Sequence, residues 1–288
     1  METAVHGREI RKDNPTLRRV LRVIIWILLI LMAAFTLVPF AWMISSSLKL
    51  DREVFAFPMR WIPETFHWEN YSLIWERVPL VTYFKNTAFI AIVVTILQTL
   101  TSSFAAYAFA KLNFRGRDAL FLCYIGTIAV PWQAYMLPQF IMMRSMGLYD
   151  TLWAMVVLQA FSAFGVFLMR QFYQSIPTDL CEAARIDGLS EYGIWARIML
   201  PLSKAAIATL VIFTFVGTWN DYMGPMIYLT RDVNKTVQVG LRRFIQENSS
   251  DYHLIMAASL CSLLPVSIVF LALQKYFIEG IATSGLKG

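Results

Sequence analysis

Six runs of apolar residues divide this chain: 20–44, 83–109, 119–142, 151–172, 205–229 and 254–277. Each exceeds the roughly 20 residues that a helix needs to cross the hydrocarbon core of a bilayer. Polar, charged or proline-bearing segments separate them. The pattern predicts an all-α, polytopic membrane protein with six transmembrane helices in one domain, residues 20–277. Short polar tails lie at 1–19 and 278–288. The first run is too long for the apolar core of a signal peptide, and no small-residue cleavage site follows it.

Inside the runs, polar positions recur with helical spacing. Thr95, Gln98 and Ser102 lie three and four residues apart, with Ala91, Ala105 and Ala106 on or near the same face. Such a stripe lines a pathway or lets two helix backbones approach in lipid. Pro131 and Pro138 interrupt the third run, so that helix is expected to kink or unwind. Gln133 sits beside this break and Gln159 lies in the fourth run. Each is placed either to meet a polar solute or to satisfy a neighbouring backbone group. The central thirds of the six runs are read as free of Asp, Glu, Lys, Arg and His. That argues against a carrier that moves its own coupling ion, because such carriers place ionisable groups at depth.

Composition agrees with a membrane chain: 58% of residues are hydrophobic, 15% are charged, and the mean hydropathy is +0.55. The net charge of +6 follows from topology. With the N-terminus inside, 15 of the 25 lysines and arginines fall in inside segments, which predicts N-in, C-in. The bases cluster at span ends and form no stripe, so nucleic acid is not an expected partner. Segment 45–82 carries Trp61, Phe66, Trp68, Tyr71 and Trp75 among prolines, a composition suited to the headgroup level. Cys123, Cys181 and Cys261 show neither disulfide nor metal spacing, and His6, His67 and His253 are isolated. No phosphate-binding loop and no nucleophile–base arrangement appears. No catalytic residue, metal site or bound cofactor is expected on the chain.

One polar segment stands apart. After Pro177, Thr178 can cap a helix over 179–187, about two and a half turns, with Asp179 at its positive end. Gly188 suits a left-handed cap, and Ser190 can start a second helix that runs through Arg197 and ends at Leu200-Pro201. The first helix carries a small patch, Ala183 and Ala184, ringed by Glu182, Arg185 and Asp187. Small residues admit a partner backbone and the charges fix its orientation. By composition alone, the same segment reads equally as an amphipathic surface loop.

The wording Glu182-Ala183-Ala184, three residues, Gly188, nine residues, Ile198-x-Leu200-Pro201 is similar to the EAA motif of bacterial ABC importer permeases. Further stretches extend the likeness over most of the chain: Gly147-Leu148-x-Asp150-Thr151, Phe164 to Phe172, Trp219-Asn220-Asp221 and the closing Lys287-Gly288. The chain resembles the MalG-type permeases of carbohydrate importers. That resemblance implies the type I importer permease fold and ATP-driven uptake of a sugar, oligosaccharide, polyol or glycerol phosphate across the cytoplasmic membrane. It implies a homologous MalF-like permease, two ATPase subunits that bind ATP and Mg, and an extracytoplasmic solute-binding protein as partners. Glu182, Ala183, Ala184, Arg185, Asp187, Gly188, Ile198, Leu200 and Pro201 would dock the ATPase, with Glu182 as the anchor. The last outer loop, 230–253, would probe the binding protein, and 284–288 would reach the ATPase interface. Related permeases often carry Trp before the proline that follows Trp-Asn-Asp, where this chain has Gly224-Pro225. Gln98, Gln133, Gln159, Trp219, Asn220 and Asp221 are candidates for the solute pathway. Asn220 is positioned to meet solute or binding protein, or to cap a span. The competing classes are an ion-coupled carrier acting without an ATPase and a membrane-bound enzyme.

Overall fold

The computed structural model describes residues 15–245 and 251–285, with side chains from 18 to 245 and from 251 to 276. The first tail up to residue 14, part of the last outer loop and Lys287-Gly288 lie outside the described residues. The architecture is all-helical. Among the described residues, three helices are long and apolar enough to cross a membrane: α1 (Pro15–Ser47) and, once short α2 (Asp51–Val54) and α3 (Asn70–Arg77) have intervened, α4 (Leu80–Lys111) and finally α14 (Tyr252–Gly285).

The middle of the chain departs from six unbroken spans. Helices α5 (Arg117–Ala129) and α6 (Trp132–Ser145) meet at 99° across Val130-Pro131. The break has the expected cause, because a proline holds its predecessor extended, and Val130 has ψ 115°. Pro138, by contrast, stays inside α6. Helices α7 (Leu152–Gln159) and α8 (Ala163–Ser175) bend by 42°, a break with no proline to announce it. Helix α10 (Glu191–Leu202) turns by 83° into α11 (Lys204–Trp219). The predicted fifth run therefore stops at Trp219 and resumes as α12 (Met223–Tyr228), which precedes the short α13 (Val237–Leu241).

Helix α4 is the central post. Its small positions Ala91, Thr95, Ser102 and Ala106 are buried, and α8 and α11 pack along it. A Cβ on Gly165 of α8 would sit 2.4 Å from Ser102 Oγ, so the two backbones approach as closely as glycine allows. The α4 stripe is thus mainly a packing surface, and Gln98 alone of its three polar members lines open space. Helix α1 contrasts with α4. Every residue from 18 to 40 is exposed, although the helix touches α14 at its far end.

Beyond α1, segment 45–82 folds back on itself. Lys49 is buried, donates to the Arg60 carbonyl at 2.6 Å and lies 4.1 Å over the Trp42 ring. Phe55, Phe57, Ile62, Phe66 and Trp68 stay exposed around it.

Candidate functional site

Two regions bring candidate functional side chains together. The first is the 177–201 element. Helix α9 (Asp179–Ile186) begins after Thr178, whose side chain makes no cap bond, and carries Asp179 and Glu182 in its first turn. Cys181 and Ala184, three residues apart, face inward among Tyr173, Ile194 and Met199. The outward face is Glu182, Ala183, Ile186 and Asp187. The small patch read from the sequence is therefore divided, with Ala183 presented and Ala184 packed. Ile186, 87% exposed, is the residue that sequence reasoning missed. The signal for it was the helical phase set by Cys181 and Ala184.

The turn is closed by backbone alone. Gly188 has φ +81°, its N–H donates to the Arg185 carbonyl at 3.0 Å, and Leu189 N–H donates to the Ala184 carbonyl at 2.9 Å. This is the paired bonding of a Schellman cap. Ser190 Oγ then accepts from Gly193 N–H at 3.3 Å and starts α10. A salt bridge spans the turn: Arg185 donates to both Glu191 oxygens, at 2.7 and 3.2 Å. Tyr107 of α4 donates to the same carboxylate, and Lys111 donates to the Ile176 carbonyl at 2.5 Å. The element is thereby tied to the end of α4. The hydrogen bonds from Arg185 hold the Glu191 carboxyl below its ordinary range, against the effect of burial.

Helix α10 does not end at Leu200-Pro201 as the sequence suggests. Residues Trp195–Met199 form a π turn, in which Leu200 N–H reaches back to the Trp195 carbonyl. The chain then continues through Pro201 to Leu202. A proline has no N–H to donate and crowds the carbonyl four residues back, and a widened turn upstream relieves both problems. Phe104 of α4 stacks on Tyr192 and meets Trp195 edge-on, each at 5.5 Å, which fixes α10 against the same post. Ile198 packs on the core beneath, Leu200 is half-buried and Pro201 is exposed.

The second region is a cleft of about 500 Å³ beside the middle of α4. Gln159 and Ala160 end α7 at the break, leaving carbonyls that the next helix does not use. Gln98 donates to the Gln159 carbonyl at 3.2 Å and Thr101 to the Ala160 carbonyl at 2.9 Å. In lipid, a broken helix persists only where such groups find partners. Ser162 Oγ accepts from Gly165 N–H at 3.0 Å and starts α8. Across the cleft, Thr214 donates to Gln98 Oε1, and Thr218 donates to Gln159 Oε1 at 3.0 Å. Gln159 donates to Asp221 Oδ2 at 2.9 Å, while Asp221 Oδ1 accepts from Gly224 N–H at 3.1 Å. Rings of Trp132, Tyr135, Phe161, Phe164, Phe213 and Tyr228 complete the wall. Trp132 Nε1 donates to Gln139 Oε1 at 3.0 Å, and Tyr228 donates to the Met136 carbonyl at 3.0 Å.

Gln98, Gln159 and Asp221 thus meet in one network, and Asp221, within the fifth run, amends the reading of the central thirds of the runs as free of charged residues. Gln133 is exposed and lies off the cleft, whereas Gln139 of the same helix lines it. Trp219 is buried behind α11, its N–H donating to the Ser262 carbonyl at 3.0 Å. Asn220 is exposed, closes α11 and accepts from Gln238 at 3.1 Å. Thr214, Thr218 and Gln139 were missed. Thr214, Thr218 and Asp221 recur at helical spacing, a stripe visible in the sequence once α11 is phased.

At the opposite end of the bundle from the 177–201 element, the start of the 230–253 loop closes on Asp150, a non-glycine residue with φ +58°. Burial raises its carboxyl, but hydrogen bonds from Thr230 N–H, the Arg231 backbone and side chain, and Asn234 prevail and hold it low. Arg231 Nε lies 2.6 Å from Asp150 Oδ2. Asn86 donates to the Val233 and Lys235 carbonyls at 2.8 and 2.9 Å and fastens the loop to α4. Among the described residues, no group of three His, Cys, Asp or Glu could hold a metal ion.

Residues 98–283 match the family described as "Binding-protein-dependent transport system inner membrane component". The chain is 34% identical over 269 residues to the "Melibiose/raffinose/stachyose import permease protein MelC" of Bacillus subtilis, covering 92% of this chain and 96% of that protein. It is 34% identical over 227 residues to the "Arabinooligosaccharides transport system permease protein AraQ" of Halalkalibacterium halodurans, covering 78% and 81%. Among solved structures, a chain of a bacterial ABC transporter involved in the import of the acidic polysaccharide alginate superposes with a TM-score of 0.78 at 26% identity. The superposition covers 96% of this chain and all of the other. A chain of an alginate transporter in complex with an oligosaccharide-bound periplasmic protein shares the fold alone, with a TM-score of 0.60 at 14% identity.

Proposed function

This chain belongs to the family of binding-protein-dependent transport system inner membrane components, and from that premise we propose that its cleft passes a sugar or oligosaccharide while its 177–201 element takes the driving motion from a separate ATPase. The chain is a non-catalytic permease subunit of an ABC importer, set in the cytoplasmic membrane. The one observation that carries the coupling role is the outward face of α9. Glu182, Ala183, Ile186 and Asp187 stand exposed on a helix whose exit is locked by Gly188 and by the Arg185–Glu191 bridge. A helix so held transmits force instead of deforming, and Tyr107, Lys111 and Phe104 pass it to α4.

On this reading each bent pair is one span, giving six with both termini inside. The domain is 20–277, flanked by cytoplasmic tails at 1–19 and 278–288. The basic residues at 110–118 and 177–204 support that orientation. The uncovered apolar length of α1 supports lipid and a homologous second permease as its neighbours. Two ATPase subunits, which bind ATP and Mg themselves, sit beneath α9. An extracytoplasmic solute-binding protein sits over the 230–253 loop. Aromatic faces beside amide and hydroxyl groups suit a sugar, which offers an apolar C–H face and a polar rim. The relatives named for oligosaccharide transport support the same cargo class.

The test uses the assembled importer in membrane vesicles. Glu182→Lys and Gly188→Pro are expected to abolish uptake and release the ATPase from the membrane, with normal amounts of permease. Normal uptake in both variants overturns the docking role. Uptake by the permeases alone, without ATPase or ATP, establishes the ion-coupled carrier instead.

A further inference from the structure

The cleft is lopsided in charge. Of its 18 lining residues Asp221 is the one charged side chain, and no Lys, Arg or His lines it among the described residues. Its donors are neutral. The Gln139 amide nitrogen and the Tyr135 hydroxyl have no protein partner among the described residues, and Gln98 Nε2 makes a single bond. We infer that the cleft selects uncharged carbohydrates, and that uronate oligosaccharides and sugar or glycerol phosphates are disfavoured by Asp221. This inference rests on the carbohydrate reading above and narrows it.

The physical reason is the field of an uncompensated carboxylate in a confined space. A sugar filling a cleft of this size brings its substituents to within about 5–7 Å of Asp221. At an effective dielectric of about 20, two like charges at that distance repel by enough to weaken binding at least about tenfold. An anionic cargo normally meets arginine or lysine, which bind carboxylate and phosphate through charge-assisted bonds. Here the amide groups of Gln98 and Gln159 are turned to Thr214, Thr218 and Asp221. Hydroxyl-bearing cargo can exchange with those partners one for one, but an anion has no cation to meet. The solved alginate importer whose chain superposes on this one imports an acidic polysaccharide, so the shared fold does not decide the charge of the cargo. The lining does.

The experiment is equilibrium binding of radiolabelled trisaccharides to the complete importer in nanodiscs, both permeases and the ATPases present and the binding protein left out, at neutral pH and low salt. Maltotriose, raffinose and arabinotriose are the neutral probes, and trigalacturonate is the acidic one. The expected result is that at least one neutral probe binds at least tenfold more tightly than trigalacturonate. Asp221→Asn should bring trigalacturonate at least tenfold closer. Because Asp221 also holds Gly224, a second variant guards against misfolding. A side chain at Gly217 meets open space within the cleft, so Gly217→Lys should raise trigalacturonate binding with Asp221 intact. Equal or tighter binding of trigalacturonate by the unmodified importer overturns the inference while leaving the carbohydrate reading in place. If no trisaccharide of either kind binds, the carbohydrate reading itself fails.

Discussion

The 177–201 element and the cleft are built by contacts of different range. In the element, Gly188 bonds to a residue three back, Ser190 to one three ahead, and Arg185 to Glu191 six ahead. In the cleft, Thr214 meets Gln98 across 116 residues and Gln159 meets Asp221 across 62. The element is a rigid surface made from one short stretch of chain. The cleft is a polar network that exists only after α4, the α7–α8 break and α11 have packed. One region is therefore vulnerable to single backbone changes, and the other to anything that shifts a helix.

The sharpest way to break the comparison is Gly188→Val. A β-branched residue at φ +81° is strained by roughly 1–2 kcal/mol or more, and the Schellman cap cannot form around it. Uptake in vesicles should fall about a hundredfold, with the cleft's sugar binding unchanged within a factor of two. Retained uptake would show that the turn is not a rigid lever. Next comes Gly224→Ala. Its new Cβ would lie 2.6 Å from Asp221 Oδ2 and 2.7 Å from Met155 Cε. Overpacking of this kind costs about 1–3 kcal/mol. A lower Tm and about tenfold weaker sugar binding are expected, with ATPase retention intact.

A smaller effect is expected from Glu191→Gln, which leaves the shape of the bridge but removes its charge. Both partners are partly exposed, so the loss should be modest, about two- to fivefold in transport per ATP hydrolysed. The pH dependence has a definite sign. The Glu191 carboxyl lies below its ordinary value near 4.5 because Arg185 donates to it. A group lowered in the folded state stabilises above its unfolded value and loses that contribution as pH falls through the folded one. The bridge is therefore intact above about pH 4.5 and is lost as pH falls further, through the lowered folded value. ATPase retention on membranes washed across pH 3–6 should follow that curve, and the Gln variant should lack the bridge-dependent step. The smallest effect belongs to Gln133→Ala. Gln133 lies off the cleft, so sugar affinity should change less than twofold. The same change at Gln139 should weaken binding about tenfold.

Both regions were partly legible before the fold was known, to different depths. Thr178 to Pro201 announced a helix, a left-handed glycine and a second helix, because caps and turns are short-range chemistry. The detail that escaped was helical phase: Ala184 turned inward and Ile186 outward once Cys181 was buried. Pro201 misled for a related reason. Its steric conflict is local, but the π turn that resolves it draws on the packing of Trp195 and Met199. In the cleft, Gln98, Gln159 and Asp221 were visible as polar residues in apolar runs, yet nothing local distinguished Gln133 from Gln139. The bend after Pro131 decided which of the two faces the cavity.

The sequence by itself determined that the chain is helical, that it lives in a membrane, and that one polar segment folds as a helix, a left-handed glycine and a second helix. Apolar run length, proline and glycine placement and charge position act through solvent and through neighbours a few residues away. Only the tertiary structure decided that the fourth and fifth runs are broken as well as the third, that the stripe on α4 is mostly a packing surface, and that Asp221 is the one charged side chain lining the cleft among the described residues. Those outcomes depend on which helix faces which, and such facing is settled by contacts between residues far apart in the chain.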